Sequence, residues 1–226
     1  MSLKARLIFR CIVAVGVCAA VLFFTAGTWR YPQGWTFLAL LFIPMLASSV
    51  YFYQRDPKLV ERRLQTKEKI GKQKIIMRLG TVIGFGAYLL PGLDFRFGWT
   101  RGWFGPEPLW LVICASALFL AAYLLTYWVM FVNSYASRTI QVEAGQEVIS
   151  SGPYRLVRHP MYFGGVLTML FAPLVLGSYV ALPMFAVVIP VIVFRLLNEE
   201  KVLRNELPGY SEYCDRTRYR LVPYVW

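Results

Sequence analysis

Histidine and acidic side chains are scarce in this chain. Its 226 residues contain one histidine, His159, and 12 Asp or Glu against 24 Lys or Arg, a formal charge of +12. The four cysteines form no Cys-x-x-Cys pair and no Cys/His cluster, so neither a metal site nor a disulfide framework is predicted. The chain also lacks a Walker loop, a Gly-x-Ser-x-Gly turn and a His-Glu-x-x-His helix. These absences argue against the hydrolases that depend on those motifs.

Apolar residues, by contrast, make up 58% of the chain, and aromatic residues 16%. A membrane-spanning helix needs about 20 mostly apolar residues. We therefore predict an all-α, polytopic helical membrane protein with about six transmembrane segments, the last two forming a helical hairpin. The predicted segments are residues 7–28, 34–53, 75–93, 107–132, 161–178 and 180–197. We expect the first apolar run to be retained as a helix, and no linker divides the chain, so residues 1–226 are treated as one integral-membrane domain.

The basic residues lie mainly between the apolar runs. Segment 54–74 alone carries eight Lys or Arg against three Asp or Glu. Lys and Arg accumulate in cytoplasmic loops, so we place this segment, the amino terminus and residues 134–160 in the cytoplasm. An even number of spans puts both termini there. The charge therefore indicates contact with membrane lipids and not with nucleic acid. Segment 54–72 is either an amphipathic helix lying on the anionic leaflet or a solvated basic loop.

The scarce polar chemistry gathers at one membrane boundary. Residues 151–163 hold His159 just before an apolar run, and Arg195 and Glu199 lie one helical turn apart where the last run ends. These groups should reach the same membrane depth, where ionisable side chains facing the bundle interior are functional candidates. The plainer alternative is an interfacial salt bridge between Arg195 and Glu199. For Arg155 and Arg158, binding of lipid phosphates is the favoured interpretation.

A reaction that needs little acid–base assistance suits such a chain. Methyl transfer from a sulfonium donor to a carboxylate is one example, because the donor is already activated and the acceptor is ionised at neutral pH. Positioning of the two reactants then supplies most of the rate enhancement. The scarcity of histidine and acidic residues is compatible with this chemistry.

The run from Gly152 to Tyr162, Gly-Pro-Tyr-Arg-Leu-Val-Arg-His-Pro-Met-Tyr, resembles the signature of the isoprenylcysteine carboxyl methyltransferase family. The pair Glu199-Glu200, then Gly209-Tyr210 and Tyr213, continues the same pattern. These are integral-membrane enzymes that use S-adenosylmethionine. The segment Leu93-Asp94-Phe95-Arg96-Phe97-Gly98-Trp99 is similar to the prokaryotic branch, and the resemblance extends over roughly residues 50–226.

The resemblance implies four spans in residues 1–133 and a methyltransferase core in 134–226, with a cytoplasmic cofactor pocket. It implies that the donor is bound by Gln141, Gln146, Glu147, Val148, Ile149, Tyr154, His159, Pro160, Met161, Tyr162 and Glu199. Glu199 would hold the amino group of the donor's methionyl part. Arg195 would be catalytic, orienting a lipophilic, membrane-embedded acceptor such as a prenylcysteine-like carboxylate.

The chain departs from the family pattern just before the two glutamates. Family members that act on prenylated proteins have a longer acidic run there, whereas this chain has Leu196, Leu197 and Asn198. Three alternatives to a prenylcysteine methyltransferase therefore remain open. The acceptor could instead be a phospholipid amine, which would need a base to remove a proton. An NADPH-dependent sterol or enone reductase shares the Arg-His-Pro-x-Tyr stretch, and a non-enzymatic lipid-binding protein would use the polar residues only as salt bridges. The host membrane is the inner membrane in a prokaryote and the endoplasmic reticulum in a eukaryote.

Overall fold

The computed structural model describes residues 2–65, 71–137, 139–140, 142–143 and 145–226, with the backbone alone for 71–73. All regular elements in these ranges are helical, which confirms the predicted all-α class. In chain order they are α1 (Leu3–Ala26), α2 (Pro32–Arg55), α3 (Pro57–Leu64), α4 (Gly71–Phe97), α5 (Trp99–Phe104), α6 (Leu109–Val132), α7 (Pro160–Val175), α8 (Leu182–Ala186), α9 (Val188–Glu206) and α10 (Tyr210–Arg216). A short 3-10 helix, Gly152–Arg155, precedes α7.

The described helices include five stretches that are long and apolar enough to cross a membrane. They are α1, α2, residues 74–97 of α4, α6, and the combined α8–α9 run over Leu182–Glu206. Helix α7 has 16 residues and is about 24 Å long, less than the roughly 30 Å hydrocarbon core of a bilayer. The protein is thus a polytopic helical membrane protein in which the predicted segment 161–178 is a shorter apolar helix.

Helix α7 packs most extensively against α6. Gly164 allows this approach, because a Cβ atom there would lie 2.9 Å from the Ala122 carbonyl oxygen and 2.8 Å from the Thr126 hydroxyl. The last two apolar segments also pack on each other, as the predicted hairpin requires. The chain does reverse after α7, with Gly177 in the left-handed region at φ 72°, and α7 contacts α8 and α9. The main partner of α7 is nevertheless α6, which fixes the start of α7 beside the end of α6.

Helix α3 lies with its apolar face against the bundle. It begins with Pro57 at its first position, and the Asp56 carboxylate accepts a hydrogen bond from the backbone nitrogen of Leu59 at 2.9 Å. Leu59 and Val60 are buried in a cluster with Phe52 of α2 and residues of α6. Residues 57–64 therefore form the helix that one of the two interpretations of segment 54–72 predicts, with its apolar face covered by protein. Contact of the segment with the lipid leaflet stays a prediction. Residues 66–70 of that segment lie outside the described ranges.

A buried carboxylate organises the other end of α7. Asp94 is 2% exposed and accepts hydrogen bonds from the Thr100 backbone nitrogen at 2.7 Å, from the Thr100 hydroxyl, and from the Ser178 hydroxyl at 2.5 Å. The network ties the α4–α5 connection to the turn that follows α7. Hydrogen bonds to a charged acceptor are among the stronger ones in proteins. Asp94 therefore holds the end of the bundle that is farthest from Pro160.

We expect Asp94→Ala to lower the free energy of unfolding by about 1.5–3 kcal/mol, because three donors lose a charged acceptor in a buried place. Thermal unfolding of the detergent-purified protein measures this, with Asp215→Ala as the control at an exposed aspartate. A melting temperature equal to that of the control would show that the Asp94 network contributes no stability.

Candidate active site

A cavity of about 270 Å³ lies where α6 ends and α7 begins. Its walls come from the first turn of α7, the second half of α9, and the segment between α6 and α7, with contributions from α3, α4 and α10. The lining residues are Arg63, Met77, Asn133, Tyr135, Ala136, Ser137, Thr139, Ile140, Gln146, Glu147, Val148, Ile149, Tyr154, Arg158, His159, Pro160, Met161, Tyr162, Arg195, Glu199, Leu203, Leu207, Tyr210 and Tyr213.

Eleven of the twelve site residues named from the sequence border this one cavity. They are Gln146, Glu147, Val148, Ile149, Tyr154, His159, Pro160, Met161, Tyr162, Arg195 and Glu199. The twelfth, Gln141, lies outside the described residues. The roles assigned to these side chains in binding a donor or an acceptor stay predictions. What the structure adds is their common location, at the end of the bundle formed by the amino terminus of α7 and the carboxy-terminal half of α9.

A tyrosine hydroxyl joins the two charged side chains of α9. The Tyr162 hydroxyl donates to Oε2 of Glu199 at 2.5 Å and accepts from Nε of Arg195 at 3.0 Å. Arg195 and Glu199 are one turn apart on α9, and Tyr162 reaches them from the first turn of α7. Arg195 and Glu199 are thus connected by a chain of hydrogen bonds through Tyr162. This chain fixes the orientation of both charges at the cavity wall.

Tyr154 forms a second fixed point of the wall. Its hydroxyl accepts a hydrogen bond from the Asn133 side-chain amide at 2.8 Å, and its carbonyl oxygen accepts one from the Tyr213 hydroxyl at 2.8 Å. Burial raises the pKa of Tyr154 to about 12, so the phenol remains protonated across the physiological range. Tyr154 thus presents a neutral aromatic surface to the cavity.

The neighbouring glutamate, Glu200, points elsewhere. Its carboxylate lies 2.8 Å from Nη1 of Arg158 and 3.0 Å from Nε of Arg220. Nε2 of His159 is 3.4 Å from the same carboxylate, within ion-pair distance but outside hydrogen-bond geometry. The Glu200 side chain is 5% exposed and is not part of the cavity lining. The Glu-Glu pair therefore has one member in the cavity wall and one in a buried ionic cluster behind it.

The carboxy-terminal segment completes that cluster. The backbone nitrogens of Arg158 and His159 donate to the carbonyl oxygens of Tyr219 and Arg220, both at 2.9 Å. Nη2 of Arg158 also donates to the Arg218 carbonyl oxygen at 2.8 Å. The expectation that Arg158 binds lipid phosphate is wrong, because the residue is 7% exposed and surrounded by these partners. The tail folds back over the residues that precede α7.

Comparison with known proteins relates this half of the chain to membrane methyltransferases. Residues 110–208 match the model of the phospholipid methyltransferase family. The match supports a membrane methyltransferase domain built from α6 to α9, the helices that contribute most of the cavity wall. The narrower isoprenylcysteine carboxyl methyltransferase subfamily is not distinguished by this match.

Two curated relatives are similar to part of this chain. The uncharacterized protein YpbQ of Bacillus subtilis (strain 168) is 31% identical over 102 residues, which are 44% of this chain and 60% of that protein. The Delta(14)-sterol reductase TM7SF2 of Mus musculus is 34% identical over 91 residues, 39% of this chain and 22% of that protein. The chain thus spans less than two thirds of the length of either relative.

Substitution of the buried Glu200 should destabilise the protein, whereas the same substitution at the exposed Glu206 should not. We expect Glu200→Gln to lower the free energy of unfolding by about 3–5 kcal/mol, because removing one partner of a buried ion pair leaves uncompensated charge. Thermal unfolding in detergent checks this beside Glu206→Gln, at an exposed position of the same helix. Equal melting temperatures for the two variants would contradict a structural role for Glu200.

Several wall residues carry no signal in the sequence that marks them as part of the site. Asn133 lies at the end of α6, and Arg63 is one of many basic residues in segment 54–74. Arg220 belongs to the buried cluster behind the wall, where it reaches Glu200 from 20 residues further along the chain. Each of these joins the site through packing between distant segments, which a linear pattern does not reveal. The pattern found only the residues that lie next to each other in the signature or one turn apart on α9.

Proposed function

We propose that this protein is an S-adenosylmethionine-dependent methyltransferase that acts on a lipophilic, membrane-embedded acceptor. The observation that carries the proposal is the hydrogen-bonded chain from Arg195 through Tyr162 to Glu199 in the wall of the cavity. It offers a carboxylate and a guanidinium side by side, within the segment that matches a methyltransferase family. One charge suits the ammonium group of a donor, and the other suits an anionic acceptor.

The residues of the cavity fit the proposed donor. Glu199 would hold the donor's amino group by a charge-assisted hydrogen bond. Val148, Ile149 and Met161 supply apolar wall, and Tyr154 supplies a neutral aromatic surface for a nucleoside. S-adenosylmethionine, when bound, supplies a methyl group already activated on a sulfonium sulfur. The work left to the protein is to hold the acceptor atom in line with that methyl group and to exclude water.

A carboxylate is the acceptor that this cavity supports best. A carboxylate oxygen is nucleophilic at neutral pH, and Arg195 can fix its orientation. An amine would first have to lose a proton to a base. Glu200 is unsuited to that task, because it is engaged by Arg158 and Arg220 behind the wall. We therefore favour O-methylation of a group such as a prenylcysteine-like carboxylate over N-methylation of a phospholipid amine.

The reductase alternative rests on the similarity to a sterol reductase over 91 residues. NADPH carries several phosphate groups, which call for cations in the pocket wall. The wall holds Arg63, Arg158 and Arg195, but Glu147 and Glu199 also place carboxylates there, and Arg158 is engaged by Glu200. A carboxylate attracts an ammonium group and repels a phosphate, so Glu199 favours a donor with a sulfonium and an ammonium group over a polyanionic cofactor.

The orientation in the membrane follows from the charge of the loops. The cavity lies at the same end of the bundle as α3 and the first turns of α1, where Arg6 pairs with Glu61. The excess of Lys and Arg in segment 54–74 supports a cytoplasmic position for this end, because such residues accumulate in cytoplasmic loops. We therefore propose a cytoplasmic cavity with both termini on the same side, so that a polar donor enters from water and a lipophilic acceptor from the bilayer.

The proposal is tested by transfer of a labelled methyl group from S-adenosylmethionine, with the purified protein in liposomes. N-acetyl-S-farnesylcysteine serves as the carboxylate probe and phosphatidylethanolamine as the amine probe. A methyl ester releases its label as methanol in base, whereas an N-methyl group keeps it. Base-labile label in the first probe is the expected result. Label in the second probe alone would reassign the acceptor, and label in neither would remove the proposed function.

A further inference from the structure

The carboxy-terminal segment, residues 216–226, lies outside the part of the chain that matches the methyltransferase family, which ends at residue 208. It contains three arginines and no aspartate or glutamate, and residues 221–226 read Leu-Val-Pro-Tyr-Val-Trp. The nearest acidic residue in the sequence is Asp215, in α10. Basic side chains beside apolar and aromatic ones are typical of segments that lie on an anionic membrane surface.

The segment is packed at the depth where the apolar part of α9 ends. Leu221 is 4% exposed and belongs to one cluster of buried residues with Val166 of α7 and Leu196 of α9. Val222 and Trp226 pack against the same cluster. Leu196 lies in the last turn of the apolar part of α9, just before its polar end. The apolar end of the segment therefore lies at the boundary between hydrocarbon and water.

A tight turn directs two side chains of the segment outward at this boundary. The main-chain oxygen of Trp226 accepts hydrogen bonds from the backbone nitrogens of Leu221 and Val222 at 2.8 and 3.0 Å. Within the turn, Tyr224 has a φ of 62°, which is unfavourable for a residue other than glycine and persists only where the surrounding structure fixes it. Tyr224 and Val225 are 81% and 77% exposed. The turn thus holds an aromatic and an aliphatic side chain where a bilayer can receive them.

The residues just before α7 extend this exposed surface. The backbone nitrogen of Arg158 donates to the Tyr219 carbonyl oxygen at 2.9 Å, so the end of the 3-10 helix and the carboxy-terminal segment lie side by side. The exposed side chains of the two strips include two arginines and three large apolar residues. We call this set the tail surface: Arg155, Leu156, Arg218, Tyr224 and Val225. It combines positive charge with apolar area at one membrane boundary.

We propose that the tail surface binds the headgroups of anionic phospholipids. The guanidinium groups of Arg155 and Arg218 suit phosphate oxygens, which they can bind through paired hydrogen bonds. Tyr224 lies at the level of the headgroups, where aromatic side chains accumulate in membrane proteins. The inference goes beyond the proposed function, because these lipids take no part in methyl transfer.

Lipid bound at the tail surface also restrains the cavity wall. Arg220 of the same segment donates to Glu200 at 3.0 Å, and its carbonyl oxygen accepts from the backbone nitrogen of His159 at 2.9 Å. His159 lines the cavity. Whatever holds the segment in place therefore also holds the residues that precede α7. The charge of the membrane surface can act on the cavity by this route.

Hydrogen exchange of the whole protein tests both parts of the inference. The protein is placed in nanodiscs of phosphatidylcholine alone, or of phosphatidylcholine mixed with phosphatidylglycerol. Mass spectrometry then follows amide exchange in peptides that cover residues 217–226 and 156–163. We expect exchange in both peptides to be slower in the anionic nanodiscs by about fivefold or more. Salt at about 1 M should abolish the difference, because it screens the attraction between exposed charges.

The double variant Arg155→Gln/Arg218→Gln should remove the difference between the two kinds of nanodisc. Arg30→Gln/Arg101→Gln is the matched control, because it removes the same charge from exposed positions at the opposite end of the bundle. Tyr224→Ala should instead speed exchange of residues 217–226 in both kinds of nanodisc, because it removes apolar contact and leaves the charge unchanged.

Equal exchange of wild-type residues 217–226 in the neutral and anionic nanodiscs would overturn the inference. A difference that persists in Arg155→Gln/Arg218→Gln as fully as in the control would overturn it too. The comparison of wild-type protein in two lipids needs no variant, so it decides the matter even if the double variant does not fold. Neither readout uses S-adenosylhomocysteine or turnover, so failure here is distinct from failure of the proposed function.

Discussion

Glu199→Gln is expected to weaken binding of S-adenosylhomocysteine by at least about 30-fold and to leave the protein folded. Truncating one partner of a buried, hydrogen-bonded charge pair costs about 2–5 kcal/mol of binding free energy. The substitution keeps the shape of the side chain, and the amide oxygen can still accept the hydrogen bond from the Tyr162 hydroxyl. Only the negative charge that would face the donor's amino group is removed.

Isothermal titration in detergent measures the affinity, and thermal unfolding reports whether the variant is folded. Glu206→Gln is the matched control, because it makes the same substitution at an exposed position of the same helix. Affinity in Glu199→Gln equal to that of the control would remove Glu199 from the donor site. A variant that loses both its fold and its affinity would instead assign Glu199 to the support of α7 through Tyr162.

Arg195→Ala is expected to preserve donor affinity and to lower kcat by about 100-fold to 1000-fold. The reason is electrostatic: the guanidinium would orient the acceptor carboxylate and hold it against the transferred methyl group. Removing one such preorganised donor at other active sites costs a factor of this size. The hydrogen bond between Tyr162 and Glu199 does not require Arg195, so the acid that would hold the donor keeps its partner.

Single-turnover methylation of N-acetyl-S-farnesylcysteine, combined with titration of S-adenosylhomocysteine, separates the two effects. Arg204→Ala serves as the control at an exposed arginine of the same helix. Turnover close to wild type in Arg195→Ala would mean that Arg195 is not catalytic. Loss of the folded state in that variant would show that Arg195 is a structural partner of Tyr162.

The sequence predicted the class of fold because spanning helices leave a signal that does not depend on packing. Within the described ranges, length and apolar content alone identified the long helices, and α7 shows a marked departure from its predicted segment. That helix is shorter than the predicted segment 161–178, since the chain already turns at Gly177 and Ser178 is drawn into hydrogen bonding with Asp94. How α7 packs was not predictable, because its close contact with α6 depends on the register of Gly164 against Ala122.

Most residues of the candidate site could also be predicted from local patterns in the sequence. Residues of the signature are adjacent in the chain, and Arg195 and Glu199 follow a helical spacing. Their common location could therefore be predicted once the two helix ends that carry them were assigned to the same membrane depth. The resemblance assigned Glu199, and not Glu200, to the site, whereas helical spacing alone does not separate two residues of one turn. That distinction comes from Arg158 and Arg220, which surround Glu200.

The contributions of α3 and of the tail could not be found in the same way. Arg63 reaches the cavity from α3, a helix that Arg62 binds to the segment after α6 through hydrogen bonds to Glu143 and Ser134. Arg220 reaches Glu200 because the tail pairs with the backbone before α7. Both depend on contacts between segments far apart in the chain, and a basic residue in a loop carries no sign of which partner it will meet.

Titration of the detergent-purified protein with S-adenosylhomocysteine, beside a parallel titration with NADPH, distinguishes a methyltransferase from a reductase. We expect saturable binding of S-adenosylhomocysteine and none of NADPH, with the Glu206→Gln control equal to wild type. Binding of NADPH alone would contradict the account and favour a reductase. Binding of neither ligand would contradict it as well and favour a membrane protein without this cofactor chemistry.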